Sequence, residues 1–311
     1  MTVLLLESLH PDAEALLAEV DELVRAEDPN APDCDFAAVA AIVTRGRGRI
    51  TSNLLERCPG LRAIARAGVG LDNLDTEAAH RLGIPVVFAP GGNALTVAEH
   101  TIALTLDLVR GITASAIQVR EGRWGDRAFY RGNEIRGLTL GVLGFGAIGR
   151  RVATLADAFG MRVLVLRHAE REVPAPFTAA PLSELLRTSD VVTLHLPLSP
   201  STKHLLGAAE FAAMKPGVFL VNTARGALIE PAALRRALAD GHLGGFAADV
   251  LEQEPPAPDD PLLSDGRAVL TPHNASLTAL TYRSMCVDTA TNVAAILRGE
   301  RPAERSLFVA R

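Results

Sequence analysis

Between Leu138 and His168 the chain reads LTLGVLGFGAIGRRVATLADAFGMRVLVLRH. An apolar run is followed by a glycine cluster, a helically spaced face at Ile148, Val152, Leu155, Ala156 and Phe159, and a second apolar run. That order predicts strand, turn, helix, strand. Upstream, short apolar runs at Val3 to Leu6, Ala41 to Arg45, Ala63 to Ala65 and Val86 to Phe88 predict strands. They alternate with predicted helices at Asp12 to Val24 and Thr76 to Leu82, which describes a small parallel α/β domain. Asn93 to Ile112 predicts a long apolar helix, suited to bridging two domains or to burial in a dimer. A second helix up to Gly122 and a polar loop from Gly125 to Arg136 are expected after it. Further strands are expected at Val191 to His195, Val218 to Asn222, Gly245 to Asp249 and Val269 to Thr271, with helices near Leu182, Ala208 and Pro231. A final helix is expected from Leu277 to Leu297, and the Pro-rich stretch from Glu254 reads as a rigid loop.

Composition narrows the class. A chain of 311 residues, 48% hydrophobic, is long for one core and comfortable for two domains. A net charge of −5 and a pI near 5.9 provide no general attraction to nucleic acid or to an anionic membrane. Cys34, Cys58 and Cys286 form no paired pattern, so they read as small core hydrophobes in a reducing compartment, and no metal site is expected. The opening MTVLLLESLH lacks a basic n-region, and no apolar span approaches the ~18 residues of a membrane helix. A cytoplasmic location is the expectation.

Gly144, Gly146 and Gly149 form a GxGxxG turn, with Ala147 and Ile148 opening the helix. The spacing suits a tight bend, close backbone approach to a pyrophosphate, and helix packing on the strand. The helix N-terminus would then face phosphate with unpaired N–H groups. Arg167 ends the second strand, eighteen residues after Gly149, where an acidic side chain commonly holds the ribose hydroxyls of NAD. With Arg171 nearby, a guanidinium there suits a 2′-phosphate. The expectation is NADP(H) in preference to NAD(H), although NAD(H) stays possible and Glu170 offers a ribose contact.

Three polar residues fall where strands should end: Arg225 in VNTARGALIE, Glu254 in ADVLEQEPP and His273 in LTPHNAS. Together they suit reduction of a 2-oxo acid. Arg225 supplies a permanent, forked cation for the carboxylate and ketone. His273 can deliver a proton near neutrality, and Glu254 would hold the ring and favour its charged form. Each alone has a structural reading: an ion pair, a solvated loop residue, a helix cap.

The chain resembles the D-isomer-specific 2-hydroxyacid dehydrogenases. The resemblance rests on ARAGVGLDNLD from Ala65, APGGNALTVAEH from Ala89, LGFGAIGR from Leu143, HLPLSPSTKHLL from His195, VNTARGALI from Val221, AADVLEQEP from Ala247 and LTPHNAS from Leu270. It implies an α/β fold of two Rossmann-like parallel-sheet domains with a cleft between them, the nucleotide domain inserted in the substrate domain. Residues 1–94 and 277–311 would form the substrate domain and 95–276 the nucleotide domain. It implies a homodimer, with Glu99 and His100 near the interface. Arg225, Glu254 and His273 match the family's catalytic residues, and Val69 and Gly70 match the loop whose amides bind the substrate carboxylate. Thr96, Pro197, Thr202, Thr223, Ala224 and Asp249 match cofactor-lining positions, Asp249 near the nicotinamide carboxamide. The chain departs from the family at Arg167, where NAD-dependent members commonly carry aspartate, and at Asn274 and Ser276 after the histidine.

Arg45 and Arg47, in TRGRGR, follow a predicted strand, and alternation would aim both to one side, toward an anionic or hydroxylated substrate group. Solvated loop arginines are the equal alternative. Because the chain ends at Arg311, feedback through an added regulatory domain is not expected. The leading function is reduction of a glyoxylate- or hydroxypyruvate-like acid with NADPH. The alternatives are an NAD-dependent dehydrogenase acting on a phosphorylated or other anionic acid, and a nucleotide-sensing binding protein on the same fold.

Overall fold

The computed structural model describes residues 1–168 and 172–309. The chain forms two compact units, one of Met1–Asn93 with Ser276–Arg311 and one of Ala94–Ala275. Each is a parallel-sheet α/β domain.

The first unit contains β1 (Thr2–Leu5), α1 (Pro11–Ala18), β2 (Glu22–Arg25), β3 (Val39–Thr44), α2 (Ser52–Glu56), β4 (Ala63–Arg66), α3 (Thr76–Arg81) and β5 (Val86–Val87). Its sheet order is β2-β1-β3-β4-β5, parallel throughout. Helices cover both faces of such a sheet, so its central strands are mainly apolar, and all six residues of β3, including Thr44 at its end, are buried. Complete burial of Ile42 and Ile64 contributes about 1.5–3 kcal/mol each. Side-chain caps start the helices, with Thr51, Asp75 and Thr278 accepting first-turn N–H groups. The long C-terminal helix Ala279–Arg298 returns to this unit and packs Cys286, Ala290 and Val293 into a cluster with Leu17.

The helix expected over Asp12 to Val24 is corrected. It stops at Ala18, and Glu22–Arg25 is a strand in register with β1. Pairing along β1 satisfies the backbone groups of this segment, and that tertiary partner overrides local helical spacing.

The second unit opens with α4 (Ala94–Arg110) and α5 (Ile112–Arg120), separated at Gly111, whose φ of 57° breaks the helix. Then follow β6 (Thr139–Leu143), α6 (Ala147–Ala158), β7 (Arg162–Leu166), β8 (Thr178–Ala180), α7 (Leu182–Thr188), β9 (Val191–Leu194), α8 (Ala208–Ala213), β10 (Val218–Asn222), α9 (Pro231–Ala239), β11 (Leu243–Ala248) and β12 (Ala268–Leu270). The C-terminal helix Ala279–Arg298 is α10. The sheet order is β12-β11-β10-β9-β6-β7-β8. This is the doubly wound arrangement, with its switch point between β6 and β9, and ligands bind such sheets beyond the strand C-termini. Strand β8 escaped the sequence reading because three residues with a threonine edge carry no periodic signal. Among the described residues no single helix is long and apolar enough to cross a membrane.

Candidate active site

The loop after β6 carries the glycine turn. Gly144 has φ of 108°, and a Cβ there would meet the His195 carbonyl oxygen at 2.5 Å. At Gly149 a Cβ would lie 1.9 Å from the Gly144 oxygen, so helix and turn meet backbone to backbone. Gly146 differs: a Cβ there would enter open space. It caps α6 without a side-chain acceptor. Among the described residues, no acceptor takes the N–H groups of Ala147, Ile148 or Gly149. A free helix start beside an unobstructed backbone fits a pyrophosphate. Arg167 is exposed just beyond β7, with Nη2 3.5 Å from the Ala179 carbonyl, while Glu170 and Arg171 lie outside the described residues.

The same edge carries Arg225, Glu254 and His273. His273 Nδ1 lies 2.7 Å from Glu254 Oε2, and Glu254 Oε1 accepts from the Leu251 N–H at 2.9 Å. Facing a carboxylate, Nδ1 carries the hydrogen and Nε2 remains as the nitrogen that exchanges a proton. The Glu254 hydrogen bond raises the imidazole above its ordinary pKa; burial opposes this, the Glu254 and Asp249 charges reinforce it, and the Arg225 charge opposes it. Burial would raise the Glu254 carboxyl, but the His273 and Leu251 hydrogen bonds and the His273 and Arg225 charges hold it below its ordinary value. Arg225 follows β10, with Nη1 donating to the Ala224 carbonyl at 2.7 Å. Fully buried Asn222 shapes that turn, donating to the Arg225 carbonyl at 2.9 Å and accepting from the Ala224 N–H at 3.0 Å.

Asp249, 3% exposed at the end of β11, organises the histidine loop. It accepts from the Thr271 hydroxyl at 2.6 Å and from the Asn274 and Ala275 N–H groups at 2.9 Å each. These bonds hold His273 at φ of 51°, a conformation costing about 1–3 kcal/mol for a non-glycine residue. Since the Thr271 hydrogen goes to Asp249, His100 Nε2, 3.0 Å from Thr271 Oγ1, is the donor in that contact.

Other residues matched by motif have these surroundings. Thr96 is buried, its hydroxyl 3.3 Å from the Ala275 carbonyl, and buried Thr223 meets Thr101 at 2.9 Å. Thr202 closes its loop by donating to the Pro197 carbonyl at 2.7 Å. His195, beside the glycine turn, meets Thr193 Oγ1 at 3.0 Å, and burial pushes its pKa down to about 3, keeping it neutral.

In the first unit, the Ala67 N–H is bonded to the Thr44 carbonyl and the Gly68 N–H to the Arg66 carbonyl. Among the described residues, no acceptor takes the N–H groups of Val69, Gly70 or Leu71. Arg45 and Arg47 require a correction: β3 ends at Thr44, and strand alternation does not continue through them. Residues 45–48 form a turn around the Glu7 carboxylate, with Arg45 half-buried over the Tyr282 ring and Arg47 exposed.

Residues 102–275 match the model of the D-isomer specific 2-hydroxyacid dehydrogenase NAD binding domain, more than half of the chain. The chain belongs to that family. It is 41% identical over 273 residues to glyoxylate reductase of Aeropyrum pernix, covering 84% of this chain and 81% of that one. It is 36% identical over 304 residues to D-3-phosphoglycerate dehydrogenase of Methanocaldococcus jannaschii, covering 96% of this chain but 58% of the longer relative. The D-lactate dehydrogenase structure from Aquifex aeolicus, complexed with NAD and lactic acid, superimposes with a TM-score of 0.90 at 29% identity over the whole of both chains.

In this 2-hydroxyacid dehydrogenase family member, sequence reasoning missed Asn222 and Thr271, and named His100 only for the dimer interface, without its contact to Thr271. Their signal was present but weak: a buried amide at a strand end, and a histidine interrupting the apolar face of α4.

Proposed function

We propose that the protein reduces a small 2-oxo acid of the glyoxylate or hydroxypyruvate kind to its D-2-hydroxy acid, preferring NADPH. The observation that carries this reading is the 2.7 Å pairing of His273 with Glu254 in the field of Arg225. When bound, the dinucleotide supplies the hydride. Arg225 holds the carboxylate and polarises the ketone, stabilising the charge that develops on its oxygen. His273 Nε2 donates the proton that the alkoxide requires, and Glu254 stabilises the imidazolium beforehand. The Val69 and Gly70 N–H groups receive the substrate carboxylate. The exposed guanidinium of Arg167 supports NADPH, since a charge-assisted bond to a 2′-phosphate is worth about 1.5–3 kcal/mol.

An acid with a second anionic group is a further reading, favoured by Arg45 and Arg47 at the C-terminal edge of the first sheet. A homodimer is part of the proposal, supported by the exposed apolar side chains of Ile112, Ile117, Val119 and Trp124. The test is initial-rate reduction of glyoxylate, hydroxypyruvate, pyruvate, phenylpyruvate and 2-oxoglutarate with NADPH and with NADH. Turnover of the first two with NADPH ahead of NADH is expected. Faster turnover with NADH removes the Arg167 argument, and no turnover with any acid removes the enzyme reading.

A further inference from the structure

The C-terminal edge of the first sheet holds a connected set of polar groups that the acid–base chemistry leaves unused. Glu7, just beyond β1, has a side chain only 7% exposed. Its Oε1 accepts from the Thr44 hydroxyl at 2.9 Å and from the N–H groups of Arg45 at 3.1 Å, Gly46 at 2.7 Å, Arg47 at 2.6 Å and Gly48 at 3.3 Å. Four successive amides converging on one oxygen make an anion nest, here filled by the chain's own carboxylate. Burial would raise the Glu7 carboxyl, but these bonds outweigh it and keep the group ionised below its ordinary value. Glu7 Oε2 faces Arg45 Nη2 at 3.7 Å. The turn lies at the β1/β3 switch point of this sheet, next to the loop that leaves β4.

The turn is joined to that loop by one side chain. Arg66 Nε donates to the Arg45 carbonyl at 2.6 Å, and Arg66 Nη1 donates to the Gly70 carbonyl. The guanidinium also backs Gly68, where a Cβ would stand 3.4 Å from it. Arg66 therefore ties the loops after β3 and β4 together and sets a permanent positive charge behind Ala67 to Gly70.

We propose that Glu7 and Arg66 are positioning residues that brace this loop, so that the Val69 and Gly70 N–H groups converge on a carboxylate in front of a fixed cation. The proposal rests on the reading of that loop as the substrate's carboxylate cradle. Glu7 acts through the Arg45–Gly48 turn and Arg66 acts directly. Lysine would keep the charge at 66 but lose the planar fork that spans two carbonyls.

The experiment compares glyoxylate with neutral glyoxylamide in Arg66→Met, Arg66→Lys, Glu7→Ala and Val69→Pro, measuring kcat, KM and the NADPH Kd. Glu7→Gln, which keeps the acceptor and drops the charge, serves if the alanine variant does not fold. Arg66→Met and Glu7→Ala should raise the glyoxylate KM about tenfold, the scale of one charge-assisted bond. The acid-to-amide ratio of kcat/KM should fall by a similar factor, with the NADPH Kd unchanged and partial recovery in Arg66→Lys. Val69→Pro, which deletes one cradle N–H, should raise the glyoxylate KM by itself. Equal losses for acid and amide would show general damage and overturn the brace. So would unchanged values in the Arg66 and Glu7 variants alongside a raised KM in Val69→Pro. An unchanged KM in Val69→Pro would overturn the cradle reading itself.

Discussion

Replacing Glu254 with glutamine keeps a side chain of the same shape beside His273 and removes one charge. The pair is 2.7 Å apart, with side chains 50% and 38% exposed, so solvent screens it and its worth lies near 1 kcal/mol. Losing that much support for the imidazolium corresponds to about a fivefold change in equilibrium. Glu254 raises the His273 pKa, so the variant's imidazole loses its proton at lower pH. In the proposed reaction, reduction requires the protonated ring and fails as pH rises through its pKa. The alkaline limb of the reduction profile should therefore move toward acid. On that limb the rate should fall about fivefold, while at a pH where both rings are protonated it should change by less than about twofold.

Stability follows the same sign. The raised imidazole contributes fully below the ordinary histidine value of 6.5 and is lost as pH rises through its folded value. The depressed carboxyl contributes above the ordinary glutamate value of 4.5 and is lost as pH falls through its folded value. The difference in thermal midpoint between wild type and Glu254→Gln should be largest between those two values. Steady-state rates and thermal melts across about pH 4 to 10 suffice for both comparisons. A reduction limb that stays in place, or moves toward alkali, would refute the assignment of Glu254 as the partner that sustains the charged ring.

Loss of the cation in Arg225→Gln should lower kcat/KM for 2-oxo acids by at least ~10²-fold, with the thermal midpoint near that of the wild type; a tenfold or smaller loss would remove Arg225 from charge stabilisation. Arg167→Asp should raise the KM for NADPH about ten- to a hundredfold and leave NADH use intact or improved, which paired initial rates would show. Gly149→Ala would force a methyl to within 1.9 Å of the Gly144 oxygen, and it should abolish cofactor binding in a fluorescence titration and lower the melting temperature. Asp249→Asn puts an amide donor among three hydrogen-bond donors and should reduce kcat about tenfold or more by releasing the His273 loop, with equal kcat in the two proteins counting against that role.

Much of the second unit was legible because its signals are local. A glycine at each of three fixed offsets, an apolar run before them and a helical face after them need no distant partner to be recognised. The residue types at 225, 254 and 273 likewise declare their chemistry, since permanent charge and a near-neutral pKa belong to the side chains themselves. Local spacing was insufficient where backbone pairing chose the outcome, as in Glu22–Arg25, which became a strand because β1 was available to pair with it. Alternation misled at Arg45 and Arg47 because the strand ended one residue earlier, at Thr44. Only the folded chain brings Glu7 to the Arg45–Gly48 amides, Arg66 to the carbonyls of residues 45 and 70, and Asp249 to the loop that holds His273. All of those bonds but the one from Arg66 to Gly70 join groups twenty or more residues apart, and they exist because parallel strand register carries several loop starts to one edge of a sheet. The amino-acid sequence determined which chemical groups the protein owns; the register of its two sheets decided which of them meet.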